Sequence, residues 1–209
     1  MLLYKGDAFN AFSCDCIVVS VNTIGVMATP GNALKGKGGL AGTYRLRCPT
    51  GYERYRDLCQ KKLISMGIPR ILEFQGVANM QADLLASVDS EEKDFVTQRF
   101  HCFFPTKNHY RDRHSDLPGI KRGLEVLVDQ VSSLPIKRIA MPALGCGLGG
   151  LDFPTVVLPL LIYYCNQLVN SSGEKVQTHL FVPQDKDYSS VISSNHKRYQ
   201  ECLSVCPVV

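Results

Sequence analysis

Two stretches of this chain carry residue types that could bind and attack a phosphorylated ligand. In the first, Gly145, Gly147, Gly149 and Gly150 fall within six residues, between the apolar run Ala140–Leu144 and Pro154. Glycine lets the backbone take positive φ and turn its N–H groups toward a bound anion. A helix beginning just after such a loop adds unpaired N–H groups and the positive end of its dipole. The pattern reads as strand, phosphate-cradling loop and helix; the plainer alternative is a glycine-rich turn that only joins two elements. In the second stretch the run His101–Phe104 ends at Pro105, and Thr106 and Lys107 follow. A lysine near apolar residues or other cations can have a lowered pKa and act as an amine nucleophile. The alternative is a solvated charge at a loop tip. His109, Arg111, Arg113 and His114 make the surroundings basic, which suits lysine activation or phosphate contact.

Two further residues gain meaning only in combination with these. Asn22 closes the β-branched run Cys14–Val21 and leads into Thr23-Ile24-Gly25-Val26-Met27. Open α/β sheets place ligands at such ends of buried strands. Asn22 could hydrogen-bond a sugar hydroxyl, and Asp7 could accept from an exocyclic amine such as that of adenine. Taken singly, Asn22 also fits a strand-ending hydrogen bonder, and Asp7 a turn or cap residue. Cys146 lies inside the glycine loop with no histidine that has a reason to stand beside it, so no Cys/His or Ser/His/Asp triad is indicated. Cys14 with Cys16, and Cys202 with Cys206, lack zinc-ribbon spacing and a nearby histidine, so no metal or cofactor is expected.

These residues need a frame, and 209 residues suffice for one well-buried domain. With 45% hydrophobic and 20% charged residues the chain has the make-up of an ordinary globular protein. No apolar run approaches the ~20 residues that span a bilayer, so no membrane association is expected. The start, Met1–Asp7, lacks the features of a secretory signal, and nine cysteines without a small secreted frame read as buried thiols. A cytoplasmic location is the expectation. The net charge of +4 is uneven: residues 35–62 and 99–122 are rich in Lys and Arg, whereas 83–94 is acidic. Such asymmetry could steer a polyanion, or simply be a solvated surface.

The periodicities predict strands at 1–5, 14–21, 70–76, 99–104, 136–141 and 175–182. Helical segments are expected at 8–12 (a single turn), 51–65, 117–131 capped by Ser115 or Asp116, 154–169 with a bend at Pro159, and 188–203. The glycines and prolines of 28–50 predict a loop with a short helical piece at 32–35, and 77–98 reads as a polar surface excursion. Interleaved strands and helices imply a three-layer α/β/α domain.

In their order and composition, several segments resemble the macrodomain family over roughly residues 1–183. They are Gly6-Asp7, Asn22–Met27, Phe104–Tyr110 and Pro142–Phe153. The lysine segment paired with Gly145-Cys146-Gly147-Leu148-Gly149-Gly150-Leu151-Asp152 is most similar to the branch of DarG and the terminal ADP-ribose protein glycohydrolase. The resemblance implies a single macrodomain with a central mixed sheet, with 28–50 and 77–98 as loop insertions. It implies that Asp7 contacts adenine, Asn22 faces the distal ribose, and Gly25, Val26 and Met27 begin the loop around that ribose and the phosphates. Thr106 and Leu144, Gly145, Cys146, Gly147, Leu148 and Gly149 would complete the ADP-ribose site, the glycine loop holding the diphosphate. Lys107 matches the lysine proposed in this branch to attack the anomeric carbon of the distal ribose.

The implied activity is removal of ADP-ribose from modified nucleic acid, thymidine-linked as for DarG, or from protein. The implied partners are an ADP-ribosylated substrate, nucleic acid and an ADP-ribosyltransferase. The alternative is a non-catalytic module that binds ADP-ribose or a signalling nucleotide; deacetylation of O-acetyl-ADP-ribose is a side activity of the fold. Two departures bear on the choice. Ala28-Thr29-Pro30-Gly31 stands where the family usually has Gly-x-Gly after the position of Met27. Gly149 stands where the protein-directed glycohydrolase carries an acid, which points toward the DNA-directed type, and Asp152 reads as a helix N-cap.

Overall fold

The run Cys16–Asn22 (β2) is apolar on both faces, and it lies inside the sheet with nearly every residue buried. The computed structural model describes residues 1–5, 8–11, 13–35, 38–74 and 98–182. The other strands are Leu2–Lys5 (β1), Arg70–Glu73 (β3), Phe100–Lys107 (β4), Arg138–Pro142 (β5) and Gln177–Val182 (β6). They form one six-stranded sheet in the order β1-β6-β5-β2-β4-β3. All neighbours are parallel except β3, which runs antiparallel to β4. The first strand is an edge strand, as its short length suggests.

Helices cover both faces. They are Pro30–Ala33 (α1), Gly39–Arg47 (α2), Pro49–Gln60 (α3), Leu117–Val131 (α4) and Leu158–Cys165 (α5), with a 3₁₀ turn at Ala8–Asn10. The alternation along β2 and β4 assigns the layers. Cys16, Val18, Phe100, Cys102 and Phe104 pack with Leu124, Leu127, Phe153 and Leu161 on one side. Ile17, Val19, Val21 and Phe103 pack with Phe9, Tyr44, Tyr52 and Tyr55 on the other. The result is the three-layer α/β/α arrangement with a mixed sheet.

The segment 28–50 is not the loop insertion expected from its glycines. It holds α1, α2 and the first residues of α3. Gly38 caps α2, Gly39 begins it and Gly42 lies buried within it, and the helix is secured by Tyr44, which is fully buried. Other expectations also shift. Helix α3 stops at Gln60, not near 65, as Lys62 takes φ 55° and turns the chain. Pro159 has no N–H to give to the preceding turn, and that turn widens to a π turn, Phe153–Val157, before α5 ends at Cys165. Strand β4 runs on through Pro105 to Lys107, carrying the lysine at its last position. Asp116, and not Ser115, caps α4, its Oδ1 accepting from Gly119 N at 3.1 Å. The helix expected at 188–203, most of the excursion 77–98 and Asp7 lie outside the described residues.

Candidate ligand cleft

Strands β5, β2 and β4 are neighbours and parallel, so their carboxyl ends, Pro142, Asn22 and Lys107, arrive together on one edge of the sheet. Asn22 pairs with Lys107 across a register irregularity after Val21. Beyond these ends lies a cleft of about 760 Å³, within the usual range for small-molecule sites. Asn22, Val26, Met27, Thr106, Lys107, Gly145, Gly147, Leu148 and Gly149 all line it. Gly25, Leu144 and Cys146 do not. Leu144 and Cys146 are turned into the core beneath the loop, and Gly25 is buried against α3.

Asn22 spends most of its amide on its own loop. Its Oδ1 accepts from Ile24 N (3.1 Å) and Val26 N (3.3 Å), and Nδ2 donates to Val26 O at 2.5 Å. Tyr55 OH donates to Asn22 O (2.7 Å) and Oδ1 (3.1 Å), and burial raises the phenol pKa so that it remains a donor. The strand-ending role therefore accounts for most of this side chain, and one amide hydrogen of Nδ2 remains for a ligand.

Lys107 reaches across to the glycine loop. Its Nζ donates to Leu148 O and to Asp112 O, both at 2.7 Å. Burial lowers its pKa and the Asp112 carboxylate opposes the shift. The two carbonyl acceptors also favour the ammonium form, so a neutral amine is available only when Nζ leaves them.

The loop itself is closed by Cys146 N to Ala143 O (3.1 Å), Gly150 N to Gly147 O (3.1 Å) and Leu151 N to Gly145 O (3.1 Å). The N–H groups of Gly147, Leu148 and Gly149 meet no acceptor among the described residues. Three consecutive unpaired N–H groups at a cleft wall form a ready anion cradle. Asp152 follows as the N-cap, its Oδ2 accepting from Thr155 N at 3.0 Å. Among the described residues no cluster of His, Cys, Asp and Glu could hold a metal ion.

Ser115 was visible in the sequence only as a rival cap. In the fold its N–H donates to Gly149 O (2.9 Å), while Asp116 N donates to Thr106 O (2.9 Å), so this pair of residues joins the lysine strand to the glycine loop. The Ser115 hydroxyl is buried with no hydrogen-bond partner among the described residues. It fills the space at Gly149, where an added Cβ would overlap Ser115 Oγ and lie 2.5 Å from Gly145 O. Thr29, Asn32, Leu40 and Thr43 form the facing wall, which the glycine count concealed. Recognising Leu40 and Tyr44 as an i, i+4 pair would have exposed α2. Arg45 steadies this wall, donating to Met27 O (3.2 Å) and Ala28 O (3.4 Å) while its guanidinium lies 4.3 Å from the Tyr52 ring centroid.

No family model matches the chain. A DNA ADP-ribosyl transferase–DNA ADP-ribosyl glycohydrolase fusion protein of Thermosipho africanus is 34% identical over 186 residues, covering 88% of this chain and 42% of that protein. The chain thus spans less than half the length of the curated relatives it matches. Among solved structures, Thermosipho africanus DarTG in complex with ADP-ribose superimposes with a TM-score of 0.64 at 28% identity, over 90% of this chain and 43% of that one. The macrodomain of Mycobacterium tuberculosis DarG gives a TM-score of 0.62 at 25% identity, over 86% of this chain and 95% of that one. With its mixed α/β/α sheet, strand-end cleft and lysine–glycine-loop pairing, the chain belongs to the macrodomain family, in the DarG-like branch.

Proposed function

We propose that this macrodomain is an ADP-ribosyl glycohydrolase that removes ADP-ribose from modified nucleic acid, with thymidine-linked ADP-ribose in DNA as the leading substrate. The observation that carries the reading is Lys107, held at the cleft wall against a loop whose Gly147, Leu148 and Gly149 N–H groups meet no acceptor among the described residues. Those N–H groups receive the diphosphate, and this grip sets the distal ribose beside Lys107. Once deprotonated, the Lys107 amine attacks the anomeric carbon; a C–N bond to lysine forms, and the bond to the base breaks. The base leaves with the bonding electron pair and takes a proton. Water then adds at the same carbon, the lysine departs, and ADP-ribose is released. Asn22 supports the ribose loop, and Asp7 is assigned to adenine on the resemblance alone. The relatives are named DNA ADP-ribosyl glycohydrolases, and the fused transferase of one relative makes a DNA ADP-ribosyltransferase the natural source of the substrate.

The steric closure at Gly149 supports nucleic acid over protein carboxylates. An acid at that position has no room above Ser115 Oγ and Gly145 O, so a lysine–acid pair of the protein-directed kind does not fit this loop. The competing reading, a non-catalytic ADP-ribose binder, draws on the two carbonyls that hold the Lys107 ammonium and on Ala28-Thr29-Pro30-Gly31. Turnover of an ADP-ribosylated oligonucleotide and of an ADP-ribosylated protein, measured side by side, decides between them. Lys107→Ala should abolish measurable oligonucleotide turnover, since no amine remains to form the covalent intermediate, with ADP-ribose binding by calorimetry retained. Equal turnover by the variant would sink the lysine mechanism; tight binding with no turnover by the wild type would establish the binder.

A further inference from the structure

Between Lys107 and helix α4 runs a loop, residues 108–114, that the reaction above leaves unused. We propose that this loop is a preformed platform for the single-stranded nucleic acid flanking the modified nucleotide; the proposal rests on the nucleic-acid reading of the cleft. The loop is braced from within. His109 N donates to Asp112 Oδ2 (2.8 Å), Asp112 N to His109 O (3.1 Å) and Arg111 N to His109 Nδ1 (3.1 Å). It is also anchored to the cleft. Lys107 Nζ holds Asp112 O at 2.7 Å, and Thr23 donates to Asn108 O through its N–H (3.2 Å) and its hydroxyl (2.9 Å).

What this frame holds outward is aromatic and cationic. Tyr110 is 48% exposed, and its ring stacks on His109 with centroids 4.5 Å apart. The Arg111 guanidinium lies 5.3 Å from the Tyr110 ring centroid, and Arg113 and His114 are exposed beside it. The loop's carboxylate, Asp112, already serves His109 N, and no ion pair engages Arg111 or Arg113 among the described residues. An exposed aromatic face takes an unstacked base, and guanidinium groups beside it take phosphates; a folded duplex offers no such free base face. Tyr110 borders the same cleft as Lys107. A strand attached at the carbon that Lys107 attacks therefore leaves the cleft across this loop.

The test uses the full chain with two probes: a fluorescently labelled, unmodified oligo-thymidylate for binding, and ADP-ribosylated oligonucleotide against ADP-ribosylated thymidine nucleoside for turnover. In the double variant Arg111→Ala/Arg113→Ala the slope of log affinity against log salt should become shallower by about 1.4, about 0.7 for each single-strand phosphate that is no longer neutralised. KM for the modified oligonucleotide should rise by about tenfold, with kcat unchanged and nucleoside turnover unaffected. Tyr110→Ala should weaken oligo-thymidylate binding by about tenfold, since the base then has no ring to stack on. Unchanged salt dependence, or a loss equally large on the nucleoside or on an ADP-ribosylated protein, would overturn the platform. Should the wild type release no ADP-ribose from any substrate, the glycohydrolase reading falls, while oligo-thymidylate binding and its loss in these variants still decide the platform.

Discussion

The cleft wall built from Asn22, Lys107 and the 145–150 loop is joined to its neighbours largely through main-chain groups, whereas the wall built from residues 28–35 and 38–43 hangs on the side chains of Tyr44 and Arg45. On the first wall, Ser115 N meets Gly149 O and Asp116 N meets Thr106 O, and the Lys107 side chain adds its own bond to Leu148 O. On the second, Tyr44 OH bonds His101 Nδ1 at 2.7 Å, and Arg45 reaches the carbonyls of Met27 and Ala28. Main-chain ties survive most substitutions, and side-chain ties vanish with one residue. The lesson is that the glycine-loop side of the cleft is set by the fold, and the facing side by a few replaceable side chains.

The largest break in that comparison should come from Tyr44→Ala. Truncating a fully buried aromatic costs about 3–5 kcal/mol, and here it also removes the bond to His101 and the edge-on packing against Phe103. Gly51 approaches so closely that an added Cβ would overlap Tyr44 OH, so α3 should loosen along with α2. Denaturant unfolding gives the loss, and amide exchange should rise in 39–47 well before it rises in 145–151. Uniform exchange across both walls would dissolve the distinction.

The same tie should respond to pH. Burial pushes the His101 pKa from its ordinary 6.5 down to about 4, with the Gln98 carbonyl opposing and Arg54 reinforcing the fall. The unfolded chain takes up the proton first as pH drops. The stabilisation is therefore whole above about pH 6.5, is lost progressively toward pH 4, and amounts to about 3 kcal/mol at about 1.4 kcal/mol per pH unit. Melting temperature followed from pH 7 to pH 4 should fall more steeply in the wild type than in His101→Gln; parallel curves would remove His101 from the account.

The smallest effect sharpens the other wall. Gly149→Ala forces its methyl onto Ser115 Oγ and Gly145 O, an overpacking worth about 1–3 kcal/mol. Adding Ser115→Ala relieves the first clash and leaves the second, so the double variant should regain only part of the stability and of the ADP-ribose affinity. Full recovery would mean that the Gly145 carbonyl moves freely and that the loop is not fixed by its main chain.

The apolar runs showed most of the sheet in advance, because a buried parallel strand must be apolar on both faces, as Cys16–Asn22 is. Lys107 and the glycine loop were legible for a related reason: glycine and a lone strand-end lysine are unusual enough in type and spacing to stand out. Helix α2 was not legible, since the glycines around residues 36–42 look the same whether they fill a loop or introduce a helix. Nor could spacing show that Leu144 and Cys146 turn inward while Gly147 and Leu148 face the cleft. Side-chain direction in a tight loop depends on φ values such as the 74° of Gly145.

By itself the sequence determined the layered α/β class and the pairing of a lysine segment with a glycine loop, because strand periodicity and residue chemistry are local properties. Only the tertiary structure decided that Lys107 Nζ rests on Leu148 O, that Ser115 closes the space at Gly149, and that Asn22 is largely occupied by its own loop and Tyr55. Each of these depends on groups distant in the chain being brought within hydrogen-bond or contact distance, and the parallel order of β5, β2 and β4 does that.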